Sequence, residues 1–131
     1  MSRRKSLPLL LSEATSEREF LRRVVEAAQE LGWRVHHTRP AHHRGGRWLT
    51  PVYGDAGLPD LILLRPPRCI VAELKSEKGR VSAEQQSWLD GFSQVLGIEV
   101  YVWRPSDWQA IVGILEQQDE KAGTQAAHQA G

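Results

Sequence analysis

The chain has 131 residues, 17 Lys and Arg against 16 Asp and Glu, and a single cysteine. That length builds one domain with a real core and not two. A net charge of +1 excludes a nucleic-acid footprint carried by bulk charge, so any such footprint must be local, and one cysteine excludes a disulfide framework.

The opening Met1-Ser-Arg-Arg-Lys5 and the apolar Leu7-Pro-Leu-Leu-Leu11 have the order of a signal peptide, but the apolar run is short, broken by Pro8, and soon followed by Glu13 and Glu17. Residues 1–15 read as a flexible basic arm on a cytoplasmic protein, and no run reaches membrane-spanning length. Ser12, Thr15 and Ser16 are capping residues, Glu17 and Glu19 fall in a first helical turn, and Phe20, Leu21, Val24, Ala28 and Leu31 recur at helical spacing before Gly32 closes the element. On this spacing Glu17 shares the inward face of Phe20 and Leu21, and Glu19 does not.

Residues 33–38 alternate as a first strand. A long basic loop follows from Arg39 to Asp55, with Arg44, Arg47, His42 and His43 as candidate phosphate contacts. His36, His37, His42 and His43 form no zinc pattern, since adjacent histidines on a strand converge poorly on one ion and no cysteine accompanies them. Two short apolar runs come next, Gly57-Leu-Pro-Asp60-Leu-Ile-Leu-Leu64 and Cys69-Ile-Val-Ala-Glu73-Leu-Lys75, separated by the turn signal Arg65-Pro66-Pro67-Arg68. Their length and content are those of buried strands, paired antiparallel, with Cys69 a small buried hydrophobe.

Ser82 opens a second helix with Gln85 at the reciprocal capping position, heading the stripe Gln85, Trp88, Leu89, Phe92, Val95 and Leu96. Gly97 ends it, residues 98–103 alternate as another strand, and Ser106 or Asp107 caps a short helix from Trp108 to Leu115. Residues 116–131 form a polar tail without a docking stripe, expected to be disordered. The domain proper spans residues 16–115 as an α/β fold with a mixed sheet.

The hairpin gives the charges their meaning. Antiparallel pairing brings Asp60, Glu73 and Lys75 to one end of the sheet, and the spacing of two puts Glu73 and Lys75 on one face with Leu74 on the other. Two carboxylates beside a lysine are costly to desolvate, and a hard divalent cation, Mg²⁺ or Mn²⁺, would compensate. The set suits metal-assisted phosphodiester hydrolysis. Asp60, Glu73 and the backbone carbonyl of Leu74 would hold the ion, Lys75 would orient water and stabilise growing negative charge, Glu17 would complete the shell or hold a water, and Gln85 would orient water or phosphate. Lys78 and Arg80 join Arg39, Arg44 and Arg47 as local phosphate contacts, candidates for DNA under the resemblance that follows.

At these residues the chain resembles the PD-(D/E)xK nuclease superfamily, and more closely its VRR-NUC branch. The resemblance rests on Pro59-Asp60, Glu73-Leu-Lys75, Ser82-Ala-Glu-Gln-Gln86 with Trp88 and Leu89, and Ser16-Glu17 followed by Gly32-Trp33. It implies a restriction-endonuclease-like core, a mixed β-sheet flanked by helices, and Mg²⁺- or Mn²⁺-dependent DNA cleavage. In that pattern Glu17, Asp60 and Glu73 correspond to metal-binding acids, Lys75 to the catalytic lysine and Gln85 to the active-site glutamine. Small stand-alone members from bacteriophages and bacteria resemble Holliday-junction resolvases and form dimers, which implies a homodimer on branched DNA. The family's Val-Arg-Arg signature does not occur as such; Gly79-Arg80-Val81-Ser82 stands in the neighbouring region. Trp103, Trp108, Ile111 and the apolar side of the first helix are the candidates for a two-fold interface, and each also reads as core. A non-catalytic DNA-binding or assembly module with a nuclease-like fold and a sequence-specific restriction-like enzyme remain open alternatives.

Overall fold

The computed structural model describes residues 10–38, 42–44, 47–49 and 53–118, the two short middle segments as backbone alone. Most of the basic arm, Arg39 and the tail from residue 119 lie outside the described residues, as do the side chains of Arg44 and Arg47.

Helix α1, Glu17–Glu30, begins where the Ser16 hydroxyl accepts from the Glu19 N–H at 3.1 Å. It ends where Gly32 takes φ +91°, a left-handed turn natural only to glycine, and the chain enters β1, Arg34–His37. Strands β4, Leu61–Arg65, and β5, Arg68–Leu74, are the expected hairpin about Pro66 and Pro67, and helix α2, Ala83–Ser93, crosses over to β6, Ile98–Trp103. A 3₁₀ turn at Pro105–Asp107 leads into α3, Trp108–Glu116. The main sheet has the order β1-β4-β5-β6, with the first two pairings antiparallel and the last parallel. The fold is α/β, with a mixed four-stranded sheet flanked by three helices. No helix among the described residues is long and apolar enough to cross a membrane.

The segment expected to be an irregular basic loop contains a two-stranded ribbon instead. Strands β2, His42–Arg44, and β3, Arg47–Leu49, pair antiparallel with Arg44 opposite Arg47. The signal is Gly45-Gly46 between them, a dipeptide suited to a two-residue hairpin turn, although the short charged flanks lack the alternation that betrays a strand.

Alternation along β5 divides the two faces of the sheet. Ile70, Ala72 and Leu74 join Leu61, Leu63 and Trp103 in a core closed by Phe20, Val24, Ala27 and Ala28 of α1 and Trp108, Ile111 and Leu115 of α3. Trp103, Trp108 and Ile111 are thus 3 %, 1 % and 0 % exposed, and, with the apolar side of α1, they are core and supply no interface. Helix α2 packs against β6 with Leu89 as its one buried residue. The stripe expected on it is cut short. The helix stops at Ser93, and the turn into β6 through Gly97 at φ +89° swings Val95 and Leu96 out to 49 % and 83 % exposure.

The turn end of the hairpin holds a buried polar cluster. Arg68 grips Glu99 through two bonds of 2.8 and 2.7 Å, with each residue 2 % exposed, and its remaining Nη1 donates to the carbonyls of Ile114 and Gln117. The Tyr101 hydroxyl donates to Glu99 Oε1 at 3.0 Å. Burial first, and the Glu99 charge second, push that hydroxyl well above its usual pKa, so it remains a donor. Arg65 donates to Leu31 O and Leu115 O, Trp33 Nε1 also reaches Leu115 O, and both guanidinium groups lie against the Trp33 ring, 4.6 and 4.9 Å from its centroid. Carbonyls left over at the ends of α1 and α3 thereby gain partners, and the two helices are tied to the sheet.

Candidate active site

At the opposite end of the hairpin the register runs Leu61 to Ala72, so Asp60, one residue earlier, stands beside Glu73. The two are interlocked. The Asp60 N–H donates to Glu73 Oε1 at 3.2 Å, and the Leu74 N–H donates to Asp60 Oδ2 at 2.9 Å. Lys75 lies on the Glu73 face with its Nζ 3.3 Å from Glu73 Oε2; the lysine side chain is 12 % exposed and the glutamate 1 %. The three residues expected to meet therefore come together at one end of the hairpin, Lys75 against Glu73 and Asp60 linked to Glu73 through its backbone N–H, and Leu74 presents its backbone N–H to Asp60.

Asp60 is placed by a chain segment pinned to α2. The Trp88 indole donates to Ala56 O at 3.0 Å. Gly57 has φ +103° and lies so close to α2 that a Cβ there would fall 2.7 Å from the Glu84 carbonyl carbon. Gly57→Ala combines a left-handed backbone with a clash against main chain, so it is expected to destabilise the protein by more than about 1 kcal/mol, measured by urea unfolding.

Other expected participants are placed differently. Glu17 is exposed at the start of α1, whereas Phe20 and Val24 are buried. A first-turn residue projects past the end of the stripe, which helical spacing alone does not show. Among the described residues, no three His, Cys, Asp or Glu side chains gather into a metal-holding group. Glu19 binds Arg22 and Arg23, whose hydrogen bonds hold its carboxyl down to about 2. Gln85 closes a capping box: its Oε1 accepts from the Ser82 N–H at 2.9 Å while its own N–H donates to Ser82 Oγ at 3.1 Å. Lys78 and Arg80 are exposed just beyond Lys75. Residues not anticipated are Arg34 and His36, exposed and in register with Leu64 and Ile62, which places them on the Glu73 face of the sheet. Their signal was the alternation of the first strand, readable only once its partner was known.

The donor set suits a hard divalent cation. Two carboxylates at one end of adjacent strands are each held by a backbone N–H, with one ammonium beside Glu73, and Mg²⁺ is commonly held by one or two carboxylates with water and substrate phosphate completing the shell. Burial first, and then the charge of Asp60, push the Glu73 carboxyl up to about 7, while Lys75 opposes the rise. A dication would remove that conflict.

Residues 52–107 match the family model of the VRR-NUC domain. Over that segment the chain is similar to the VRR-NUC domain family. No curated protein and no solved structure gives a significant match. A VRR-NUC domain is a nuclease domain of the PD-(D/E)xK type, with DNA as the partner that implies. The matched segment contains Asp60, Glu73, Lys75 and Gln85, and Glu17 precedes it.

The buried carboxyl of Glu73 carries a pH signature. Because Glu73 binds its proton more tightly folded than unfolded, its contribution to stability is fully present below about pH 4 and is lost as pH rises through about 7. The amount is at most about 3 kcal/mol. In chelator, the melting temperature of the wild-type protein is expected to fall more between pH 5 and pH 8 than that of Glu73→Gln. Equal slopes would show that Glu73 does not titrate there.

Proposed function

We propose that the protein is a divalent-metal-dependent DNA endonuclease selective for branched DNA, four-way junctions or flaps, with residues 16–115 as its nuclease domain between a basic arm and a polar tail, working in the cytoplasm of a bacterial or phage-infected cell. The observation that carries this reading is the interlock of Asp60 with Glu73 and its ammonium neighbour, Lys75, within the VRR-NUC segment. Asp60 and Glu73, with the Leu74 carbonyl, would hold Mg²⁺ or Mn²⁺. Bound there, the ion supplies Lewis acidity toward a phosphodiester oxygen and toward water.

The chain's own groups do the rest. The Asp60–Leu74 and Glu73–Asp60 hydrogen bonds fix both carboxylates before substrate arrives, so no reorganisation is needed during the reaction. Lys75, nearly buried beside Glu73, presents a positive charge to the phosphorane as negative charge grows on it. Gln85, with its oxygen in the cap, keeps an amide nitrogen to donate to the scissile phosphate. Exposed Lys78 and Arg80, with Arg39, Arg44 and Arg47, supply the phosphate contacts that a net charge of +1 conceals. Symmetric cutting of a four-way junction needs two sites about a two-fold axis, so the reading includes a homodimer on that substrate.

The test is a cleavage panel of plain duplex, nicked, flap and four-way DNA with Mg²⁺ or Mn²⁺, with Asp60→Asn as control and sizing of the protein–junction complex. Cleavage placed by the branch point supports the reading. A wild-type protein inactive on every substrate with both metals rejects it. The ribbon β2–β3 favours a second reading, a sequence-specific enzyme, because a two-stranded ribbon fits the major groove. A short recurring sequence at the cut ends of random duplex DNA would select it.

A further inference from the structure

The residue that follows β6, Arg104, reaches the turn that follows Lys75. The Lys75 N–H donates to Trp103 O at 3.0 Å, after which the chain leaves the sheet and turns, with the Gly79 N–H returning to Ser76 O at 3.1 Å. Arg104 Nη1 points into this turn and donates to Ser76 O at 2.8 Å and Gly79 O at 2.7 Å, with Glu77 O at 3.4 Å. The Glu77 carboxylate in turn accepts from the Ser106 N–H and hydroxyl at 3.1 and 2.8 Å. Five contacts from residues 104–106 thus tether one short turn. Gly79 in that turn faces the lysine stem: a Cβ there would come to van der Waals contact, 3.5 Å, with Lys75 Cδ.

We propose that Arg104 is a positioning residue for Lys75. Through the 76–79 turn it gives the aliphatic stem of Lys75 a fixed wall, and so keeps the ammonium beside Glu73. Lysine has a flexible four-carbon stem whose charge goes where packing sends it. A guanidinium can donate to several carbonyls at once, whereas an apolar side chain at 104 would leave part-buried carbonyls without partners. The catalytic consequence rests on the reading of Lys75 given above; the geometric part does not.

Two measurements separate them. In the metal-free full chain, amine labelling followed by mass spectrometry compares Lys75 with exposed Lys78. In wild type Lys75 is expected to react several-fold more slowly, and in Arg104→Ala its rate is expected to approach that of Lys78, with Lys78 itself unchanged. On a DNA that the wild type cuts, kcat is expected to fall about 10- to 100-fold, with KM little changed. Arg104→Lys keeps the charge but spans the carbonyls poorly, so it should fall between the two on both readouts, and it carries the test if the alanine variant does not fold. Lys75 labelling that stays at the wild-type rate overturns the proposal, whereas raised labelling with kcat unchanged supports Arg104 as the residue that holds Lys75 and overturns its catalytic consequence. A wild type that cuts no DNA counts against the catalytic reading of Lys75, while the labelling still decides whether Arg104 holds it.

Discussion

On a substrate cut by the wild-type protein, Lys75→Ala is expected to slow cleavage by about 100- to 1,000-fold, the usual cost of removing one preorganised group that stabilises transition-state charge. Asp60→Asn should be at least as damaging, because it leaves Glu73 as the sole carboxylate of the pair. The two variants part company off the DNA. Lys75→Ala removes the cation 3.3 Å from Glu73 and so worsens the isolation of a buried carboxylate, lowering stability above neutral pH. Asp60→Asn keeps an oxygen to accept from the Leu74 N–H and deletes the charge that helps to push Glu73 upward, so the metal-free variant should be no less stable than wild type at pH 8. Calorimetric titration with Mn²⁺ should show binding in wild type and in Lys75→Ala and none in Asp60→Asn. An Asp60→Asn protein that cuts within a few-fold of wild type would remove the metal-assisted mechanism.

The largest effect on stability is expected at the other end of the hairpin. Glu99→Ala leaves the Arg68 guanidinium, 2 % exposed, without its counter-charge, and breaking a buried pair from one side costs about 3–5 kcal/mol. For a domain of this size that lowers the melting temperature by more than about 10 °C. Replacing both partners by apolar residues should cost less than Glu99→Ala alone, since no charge is stranded. It should not reach wild type, because Arg68 also caps the carbonyls of Ile114 and Gln117. Chemical unfolding of the three proteins measures this order. A loss below about 1 kcal/mol for Glu99→Ala would mean that the pair behaves as an exposed one.

A cluster so central was nevertheless hard to read in the sequence. Arg65 and Arg68 flank two prolines and looked like turn decoration, because nothing local announces that an arginine will be buried. What buries Arg68 is Glu99, 31 residues further on and on a different strand, together with the end of α3, while half-buried Arg65 is held by the carbonyls of Leu31 and Leu115. Arg104 was obscured in the same way, since its partners are carbonyls 25 to 28 residues earlier. Exposure of Glu17 was hidden for another reason: helical spacing gives an angle around the axis, not the distance from the end of the stripe.

By itself the sequence determined the hairpin and what lies at its rim. A period of two, a turn of fixed length and two apolar runs leave one register in which Asp60, Glu73 and Lys75 come together, because slipping the pairing by one would turn the core face toward water. Ser16 and Ser82 likewise announced their helices, since a cap is satisfied within three residues. The tertiary structure alone decided which exposed-looking charges were buried, which apolar residues of α2 remained outside, and what holds Lys75 in place. Each of those depends on contacts between segments distant in the chain, whose energies come from desolvation and from carbonyls left over at the ends of other elements. No local pattern encodes them.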